Sequence, residues 1–268
     1  MLAFVHIHKT AGTTLDDILA QSFGVRHCYL PAVNGKTSLS ADDYRRVQKL
    51  CPPIDSIAGH YVSAFSDLDT ARPDVRYYTF LREPLVRCAS HYQYQVQQQG
   101  KSYPFEEWIV RDIKRNPQTT RIAGRNGTVS DAIELLKKRF FFAGLVERFD
   151  ESLVIFRQLT GDPRLEIRYR RRRVAENDDI KNQLLANPRT RALMIEANRL
   201  DIELYEYAVQ DLYPAFQRAY EGDLDRDVAE FKTSNGSSAR LVPQLKRLAN
   251  RYVSSRFLNL KRSVSYYR

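Results

Sequence analysis

The sequence predicts an α/β fold in which a parallel central sheet lies between layers of helices. An apolar strand followed by a loop and a helix occurs twice, over residues 2–21 and 76–99. Such alternation builds parallel sheets, because each helix carries the chain back to begin the next strand in the same direction. The 268-residue chain is 43% hydrophobic and contains 16 Tyr and 13 Phe, which is enough for a sizeable core.

The first unit contains a small-residue loop that suits an anion. Residues 2–8 are predicted as a buried strand, and a helix is expected to begin at Thr14 with Asp16 and Asp17 in its first turn. The loop between them is formed by Lys9, Thr10, Ala11, Gly12, Thr13 and Thr14. Such a loop directs backbone N–H groups and a helix dipole at one spot, beside a lysine and hydroxyls. This arrangement favours the binding of phosphate or sulfate. Alternatively, Gly12 serves only the backbone angles of a strand–helix turn.

The second unit supplies another anion-binding group. Its strand at residues 76–81 ends at Arg82, and a helix beginning near Pro84 follows. An arginine at a strand end can form paired hydrogen bonds to a phosphate, and Ser90, two turns into the helix, can donate to the same group. Alternatively, Arg82 pairs with Glu83 or another carboxylate, and Ser90 is only a small packing residue.

The rest of the chain is predicted to be mostly helical. Helices are expected at 44–50, 104–115, 131–139 (with Ser130 as N-cap), 147–159, 178–187 and 188–220; strands at 56–60, 140–145 and 165–175; and irregular chain at 24–40 and 116–128. The segment 116–128 carries Gln118, Arg121 and Arg125, which either line the site or are solvated.

Basic charge is concentrated at the C-terminal end. The formal net charge is +10, and residues 237–268 contain eight basic residues and no acidic ones. With 233–238 as a linker by composition, the chain divides into one domain at 1–230 and a linker with a basic tail at 231–268. Three interpretations of the tail stay open: docking on the domain, peripheral contact with an anionic membrane, or nonspecific nucleic-acid binding. A second basic cluster at 168–173 suits an anionic glycan.

The cysteines and the hydropathy pattern indicate a compartment. Cys28, Cys51 and Cys88 show no CxxC spacing and are expected to be reduced thiols. No run of 18 apolar residues occurs, and the apolar N-terminal run leads directly into the Lys9 loop, so it is predicted as a core strand and not a signal peptide. We therefore expect a cytoplasmic protein, at the inner membrane surface if the tail binds lipid.

Two motifs taken together resemble a known family. His6-Ile-His-Lys-Thr-Ala-Gly-Thr-Thr14 is similar to the phosphosulfate-binding loop of carbohydrate sulfotransferases that use PAPS (3′-phosphoadenosine 5′-phosphosulfate). This group contains heparan sulfate 2-O-sulfotransferase and many bacterial relatives. Phe80-Leu-Arg-Glu-Pro-Leu-Val-Arg-Cys-Ala-Ser-His-Tyr92 resembles its 3′-phosphate-binding segment, and residues 143–153 and 197–208 are similar to the bacterial members. The resemblance covers about residues 2–215 and implies a P-loop-like three-layer fold that works without a metal.

The resemblance also implies roles for single residues. Those that would hold the 5′-phosphosulfate are Lys9, Thr10, Ala11, Gly12, Thr13 and Thr14. Arg82 and Ser90 would hold the 3′-phosphate, which remains on the product, adenosine 3′,5′-bisphosphate. Lys9 would also stabilise the leaving phosphate, and His60 matches the family's catalytic histidine. His8 stands where the family commonly has proline, and the sequence offers no physical reason for it.

A physical argument supports His60 as the base. A neutral imidazole can take a hydroxyl proton near pH 7, while Lys9 and helix-end amides stabilise the leaving phosphate. The alternative is that His60 is structural or binds substrate. Among the other histidines, His6 is predicted as a core residue, His91 as packing on its helix, and His27 as a loop residue with no evident partner.

The predicted function is transfer of a sulfuryl group from PAPS to a hydroxyl of a carbohydrate or glycolipid acceptor, with no specific nucleic-acid partner. Two alternatives remain. A P-loop-type nucleotide kinase or NTPase would need a Gly-Lys pair that opens a helix, whereas Lys9 precedes Gly12 here. A non-catalytic polyanion-binding protein is suggested by the tail and by the arginine cluster.

Overall fold

A five-stranded parallel sheet forms the centre of the molecule. The computed structural model describes residues 1–30, 38–49, 53–111, 115–170 and 177–237. The strands are β1 (Leu2–Val5), β2 (His27–Tyr29), β3 (Ser56–Gly59), β4 (Arg76–Leu81) and β5 (Phe140–Leu145), in the sheet order β2-β3-β1-β4-β5. All four strand pairs are parallel. The predicted three-layer α/β fold with a parallel sheet between helices is confirmed.

Helices account for most of the remaining described chain. They are α1 (Gly12–Phe23), α2 (Ala41–Gln48), α3 (Pro84–Gln99), α4 (Phe105–Ile109), α5 (Pro117–Ala123), α6 (Val129–Lys138), α7 (Phe149–Thr160), α8 (Asp179–Ala186), α9 (Pro188–Ala197), α10 (Arg199–Tyr207), α11 (Tyr213–Arg218) and α12 (Leu224–Ser237). A π-helical turn at Ala208–Leu212 joins α10 to α11. No helix in these described ranges is long and apolar enough to cross a membrane.

The central position of β1 explains its apolar sequence. All four of its residues are buried, because both of its edges are paired and both of its faces are covered. Its neighbours β3 and β4 are paired in the same direction, so the carboxyl ends of the three strands meet at one edge of the sheet. Ligands of doubly wound sheets bind at this edge, where the strand order reverses.

A smaller apolar cluster lies beside the main core and supports α3. It joins buried side chains of α3, α4, α8 and α9 around Trp108, which is fully buried. Tyr103 and the Trp108 indole both donate to the Gln95 side-chain oxygen, at 2.5 and 2.8 Å. The helix that follows Arg82 is therefore anchored on the side away from the sheet.

Several predicted elements were wrong. The segment 24–40, predicted as irregular, contains β2, and 116–128 contains α5. The predicted helix at 188–220 is divided at Asn198 and again at the π-turn. Residues 165–170 form no strand, and the rest of that predicted strand, 171–175, lies outside the described residues.

Helix ends also differ from the predictions. The N-cap of α6 is Thr128 instead of Ser130, in a reciprocal capping box with Asp131. The predicted linker begins as helix, because α12 continues to Ser237 and buries Phe231. The basic tail beyond it and Cys51 lie outside the described residues, and the domain division remains a prediction. Cys28 and Cys88 are buried thiols without a disulfide.

Candidate functional site

A cavity of about 640 Å³ opens at the carboxyl edge of β1, β3 and β4. Eight of the nine predicted site residues line it: Lys9, Ala11, Gly12, Thr13, Thr14, His60, Arg82 and Ser90. The exception is Thr10, whose hydroxyl is fully buried and donates to the Ile7 carbonyl at 3.0 Å. The Thr10 side chain therefore braces the loop, and its contact with a bound cofactor stays a prediction.

The β1–α1 loop has the backbone geometry of an anion-binding turn. Lys9 and Ala11 have φ angles of 69° and 60°, in the left-handed region that side chains other than glycine rarely adopt. Left-handed residues in such a loop turn neighbouring N–H groups toward one side. Two non-glycine residues in this conformation each store roughly 1–2 kcal/mol of strain, which is typical of binding loops.

Gly12 is required for space and not for its backbone angles. It lies at the start of α1, outside the positive-φ region. A Cβ at this position would stand 1.7 Å from Nε2 of His6. Gly12 thus lets the His6 ring pack directly against the helix, so the alternative in which Gly12 serves only its own backbone angles is not supported.

The N-terminus of α1 forms part of the cavity wall. The N–H groups of Thr14 and Leu15 both donate to the Ala11 carbonyl, at 3.0 and 3.1 Å. No side chain caps this helix, and its first turn has no acidic residue. The first N–H groups of a helix have no acceptor within it, so an anion bound here would cap α1. Asp16, predicted in the first turn, lies further along the helix because α1 starts at Gly12.

Arg82 is held by its backbone and presents its guanidinium to the cavity. The Gln118 side chain accepts from Arg82 N at 3.0 Å and donates to Arg82 O at 2.9 Å. Arg82 Nη1 donates to the Lys9 carbonyl at 3.1 Å, whereas its Nε is buried and has no partner among the described residues. Burial lowers the pKa of Arg82 from its usual value. Glu83 does not pair with it, because that carboxylate caps α3 through the N–H groups of Leu85 and Val86.

His60 is a half-buried imidazole with a defined tautomer. Its Nδ1 lies 3.0 Å from the His6 carbonyl oxygen, which can only accept, so Nδ1 carries the proton and Nε2 has the lone pair. Arg121 donates to the His60 carbonyl at 2.6 Å. Burial, assisted by the positive charge of Arg121, lowers the pKa of His60 to about 4. His60 is therefore neutral at pH 7.

Three more histidines line the cavity with His60, and sequence reasoning did not place them there. His6, His8 and His91 join it in a series of ring contacts, with centroids 4.2 Å apart for His6–His60, 3.7 Å for His8–His60 and 5.5 Å for His8–His91. We call these four residues the histidine column. The spacing of His6 and His8, with one residue between them after a strand, was the signal in the sequence. His6 is buried as predicted, but it also lines the cavity.

His27 was predicted as a loop residue with no evident partner, and this prediction is wrong. It lies in β2 and is fully buried. Its Nε2 lies 2.9 Å from Asp16 Oδ1 and its Nδ1 lies 3.2 Å from Ser56 Oγ. Because Asp16 lines the cavity, His27 holds one carboxylate of the cavity wall in place.

Aromatic and amide side chains complete the cavity. The Lys9 ammonium lies 4.7 Å above the Tyr94 ring. On α8, Lys181 pairs with Asp178 at 2.6 Å, and both line the cavity. The other lining residues that the sequence analysis did not single out are Tyr29, Gln93, Gln97, Gln98, Gln99, Val146, Phe149 and Tyr169.

The predicted arginine-containing segments contribute unequally to the cavity and its surroundings. Arg121 reaches the site through the His60 carbonyl, and Gln118 through Arg82, whereas Arg125 does not line the cavity. In the second basic cluster, Arg168 pairs with Glu166 at 2.5 Å. The arginines at 171–173 lie outside the described residues.

Comparison with known proteins finds similarity among solved structures only. No protein-family model matches the sequence, and no curated protein is significantly similar to it. Among solved structures, a sulfotransferase from Alicyclobacillus acidocaldarius matches 76% of this chain and 98% of its own, with 13% sequence identity and a TM-score of 0.41. So distant a likeness decides neither fold nor function, which rest on the residues of this chain.

Proposed function

We propose that this protein transfers a sulfuryl group from PAPS to a hydroxyl of a carbohydrate or glycolipid acceptor. The observation that carries the proposal is the meeting of three parts in one cavity: the Lys9 loop after β1, His60 after β3, and Arg82 after β4. Two anion-binding groups with a neutral imidazole beside them suit a donor that carries two phosphates and a transferable sulfuryl group.

In the proposed reaction, the acceptor hydroxyl oxygen forms a bond to sulfur while the bond from sulfur to the 5′-phosphate oxygen breaks. His60 Nε2 takes the hydroxyl proton. The electron pair of the broken bond stays on the phosphate of adenosine 3′,5′-bisphosphate. Lys9 and the N–H groups at the start of α1 stabilise the charge that develops there, without a metal.

The part of the cavity around Arg82 suits the second phosphate of the donor. Its Nε is a buried donor without a partner, a condition that costs about 1–3 kcal/mol unless a ligand relieves it. Ser90 lines the same cavity from α3. A 3′-phosphate between these two side chains would accept from both and would neutralise the guanidinium.

The donor also changes the basicity of His60. A base with a pKa of about 4 is a weak proton acceptor at neutral pH. Negative charge bound within a few ångströms favours the imidazolium, so the bound donor raises the pKa of His60 toward the range in which it accepts a proton.

Isothermal calorimetry tests the nucleotide class. Adenosine 3′,5′-bisphosphate is expected to bind without Mg²⁺, and ATP-Mg to bind much more weakly; the reverse order would favour a kinase or NTPase. Arg82→Ala should weaken bisphosphate binding by more than about 1 kcal/mol, the value of a charged hydrogen bond. The matched control is Arg189→Ala on α9, which removes an exposed arginine that does not line the cavity and should leave affinity unchanged.

A second experiment tests the reaction. Sulfur-labelled PAPS is incubated with the protein and a panel of glycans and glycolipids. The label is expected on at least one acceptor, and on none when the protein is left out. His60→Ala should abolish transfer while bisphosphate affinity persists. Full transfer by His60→Ala would refute the assignment of His60 as the base.

A further inference from the structure

The strongest feature that the proposed reaction leaves unexplained is the histidine column. Four of the five histidines in the chain belong to it. The His8–His60 contact joins ring centroids 3.7 Å apart with an angle of 29° between the planes. This is van der Waals contact between the proposed base and a side chain on the nucleotide-binding segment.

The sheet explains how the rings meet. Side chains alternate along extended chain, so His6 and His8 project to the same side, while Ile7 between them is buried in the core. β1 pairs with β3 in a parallel register that places Val5 opposite Gly59. The next residues, His6 and His60, therefore come together, and the His60 ring contacts both His6 and His8.

The hydrogen bond of His60 leaves part of its position undetermined. The bond from Nδ1 to the His6 carbonyl sets the tautomer but acts at one ring atom only. Ring contacts must set the tilt of the plane, and with it the direction of the Nε2 lone pair. His6 makes one of these contacts, but it also packs against Gly12 and hydrogen-bonds Tyr29 at 3.1 Å, so it serves the fold as well.

His6 and His8 both line the cavity, but His8 is exposed whereas His6 is buried. We infer that His8 is a positioning residue, which holds the His60 ring so that Nε2 faces the acceptor hydroxyl. This inference rests on the proposed function for its catalytic consequence. The face of an aromatic ring at position 8 would also stabilise the imidazolium that His60 becomes when it takes the proton. A phenyl ring can supply both contacts, whereas a methyl group supplies neither.

His91 shows how the far side of His8 is itself supported. The Gln95 oxygen accepts from Tyr103 and Trp108, so the Gln95 amide nitrogen must donate to His91 Nε2, at 3.3 Å. That bond favours neutral His91 with its proton on Nδ1. The His91 ring lies 5.5 Å from His8, with 12° between the planes. His8 is thus placed between a fixed neutral ring and the proposed base.

The test compares His8→Ala with His8→Phe. With the acceptor found in the screen, His8→Ala should lower kcat roughly 10- to 100-fold, as expected for a misplaced base, with the KM for PAPS and the bisphosphate affinity unchanged. His8→Phe should restore most of kcat. Wild-type kcat in His8→Ala would overturn the inference, and so would a His8→Phe variant as slow as His8→Ala, since the imidazole nitrogens would then be needed.

A second measurement separates this inference from the proposed function. Nitrogen-15 NMR of the His60 ring should show one tautomer, with the proton on Nδ1, in the wild type and in His8→Phe. In His8→Ala the ring signals should show exchange broadening, because the tilt of the ring plane is no longer held. This result is expected even if the protein binds no adenosine bisphosphate, in which case only the proposed function fails. Identical His60 signals in all three proteins would overturn the positioning role.

Discussion

The imidazole of His60 is subject to opposing influences on its proton. Burial and the charge of Arg121 lower its pKa, whereas the bond to the His6 carbonyl raises it. Burial is the largest influence, so the pKa falls from 6.5 to about 4. A residue held neutral in this way is ready to accept a proton only when negative charge is brought to it. In the proposed reaction, this couples the basicity of His60 to donor binding.

This lowered pKa predicts a pH dependence of stability. Between pH 6.5 and 4 the unfolded chain binds a proton at residue 60 that the folded protein does not, so His60 makes the folded state less stable as the pH falls. The free energy of unfolding should decrease by up to about 3 kcal/mol across this window and change no further from this residue below pH 4.

Urea unfolding at pH values from 7.5 to 4 checks this prediction. His60→Gln keeps a polar side chain but has no titration, so its stability should fall less steeply over the same range. The difference between the two curves isolates residue 60 from the other titrating groups. Parallel curves would mean that His60 is not held neutral by its surroundings.

At the scale of secondary structure, the seven-residue helix α5 positions two site arginines. Gln118 holds the backbone of Arg82 by two hydrogen bonds, and Arg121 contacts His60. The helix is in turn fixed by the buried Asp201 carboxylate, which accepts from the N–H groups of Gln118 and Thr119 at 3.0 and 2.8 Å. The 197–208 segment thus acts by holding α5, which in turn holds the loop after β4.

Gln118→Ala should therefore affect stability and binding together. It would leave the N–H and C=O of Arg82 without their partner, at a cost of about 1–3 kcal/mol in the free energy of unfolding. It should also weaken the affinity for adenosine 3′,5′-bisphosphate, because Arg82 loses its alignment. Urea denaturation and calorimetry measure the two effects.

Thr128→Ala is the matched control for Gln118→Ala. It removes the capping box of α6, which does not line the cavity, and should cost about 1 kcal/mol of stability. Bisphosphate affinity should not change in this variant. Equal losses of affinity in the two variants would indicate that any destabilisation weakens binding, and Gln118 would then have no specific role.

The elements that the sequence predicted are those with strong local patterns. β4 and β5 are apolar runs with clear ends, and α3 begins at a proline after a strand. β2 has three residues and gains its burial from β3, while the polar sequence of α5 is stabilised by a carboxylate more than 80 residues away. Such distant partners leave no periodic signal in the chain.

The site residues also divide into those with a local sequence signal and those that depend on distant partners. Loop composition and strand ends predicted Lys9 and Arg82, and the family resemblance added His60. The three lie in one place because carboxyl ends of parallel strands share an edge. His8 could not be explained, since its reason is the ring of His60, which comes from another strand. Sheet order must be known before residues from different strands can be paired.

At the scale of the whole molecule, the cavity-lining residues named above all precede the basic tail. The sheet, both apolar clusters and the three parts of the site all lie within residues 1–237. The eight basic residues at 237–268 lie beyond α12, in a segment with no acidic residue. The two proposed activities can therefore be tested separately: binding of the nucleotide by residues 1–237, and attraction of polyanions by the basic residues beyond them.

Truncation after Ser237 tests this separation. We expect the shortened protein to retain the urea stability and the adenosine 3′,5′-bisphosphate affinity of the full chain, because the cavity is built from residues that remain. Its binding to heparin, single-stranded DNA and anionic vesicles should fall, and in the full chain this binding should weaken steeply with added salt. Sedimentation with vesicles and calorimetry in parallel would measure both activities.

If truncation removed bisphosphate binding as well, the tail would belong to the donor site. If the full chain bound only polyanions and no bisphosphate, the non-catalytic alternative would replace the enzyme.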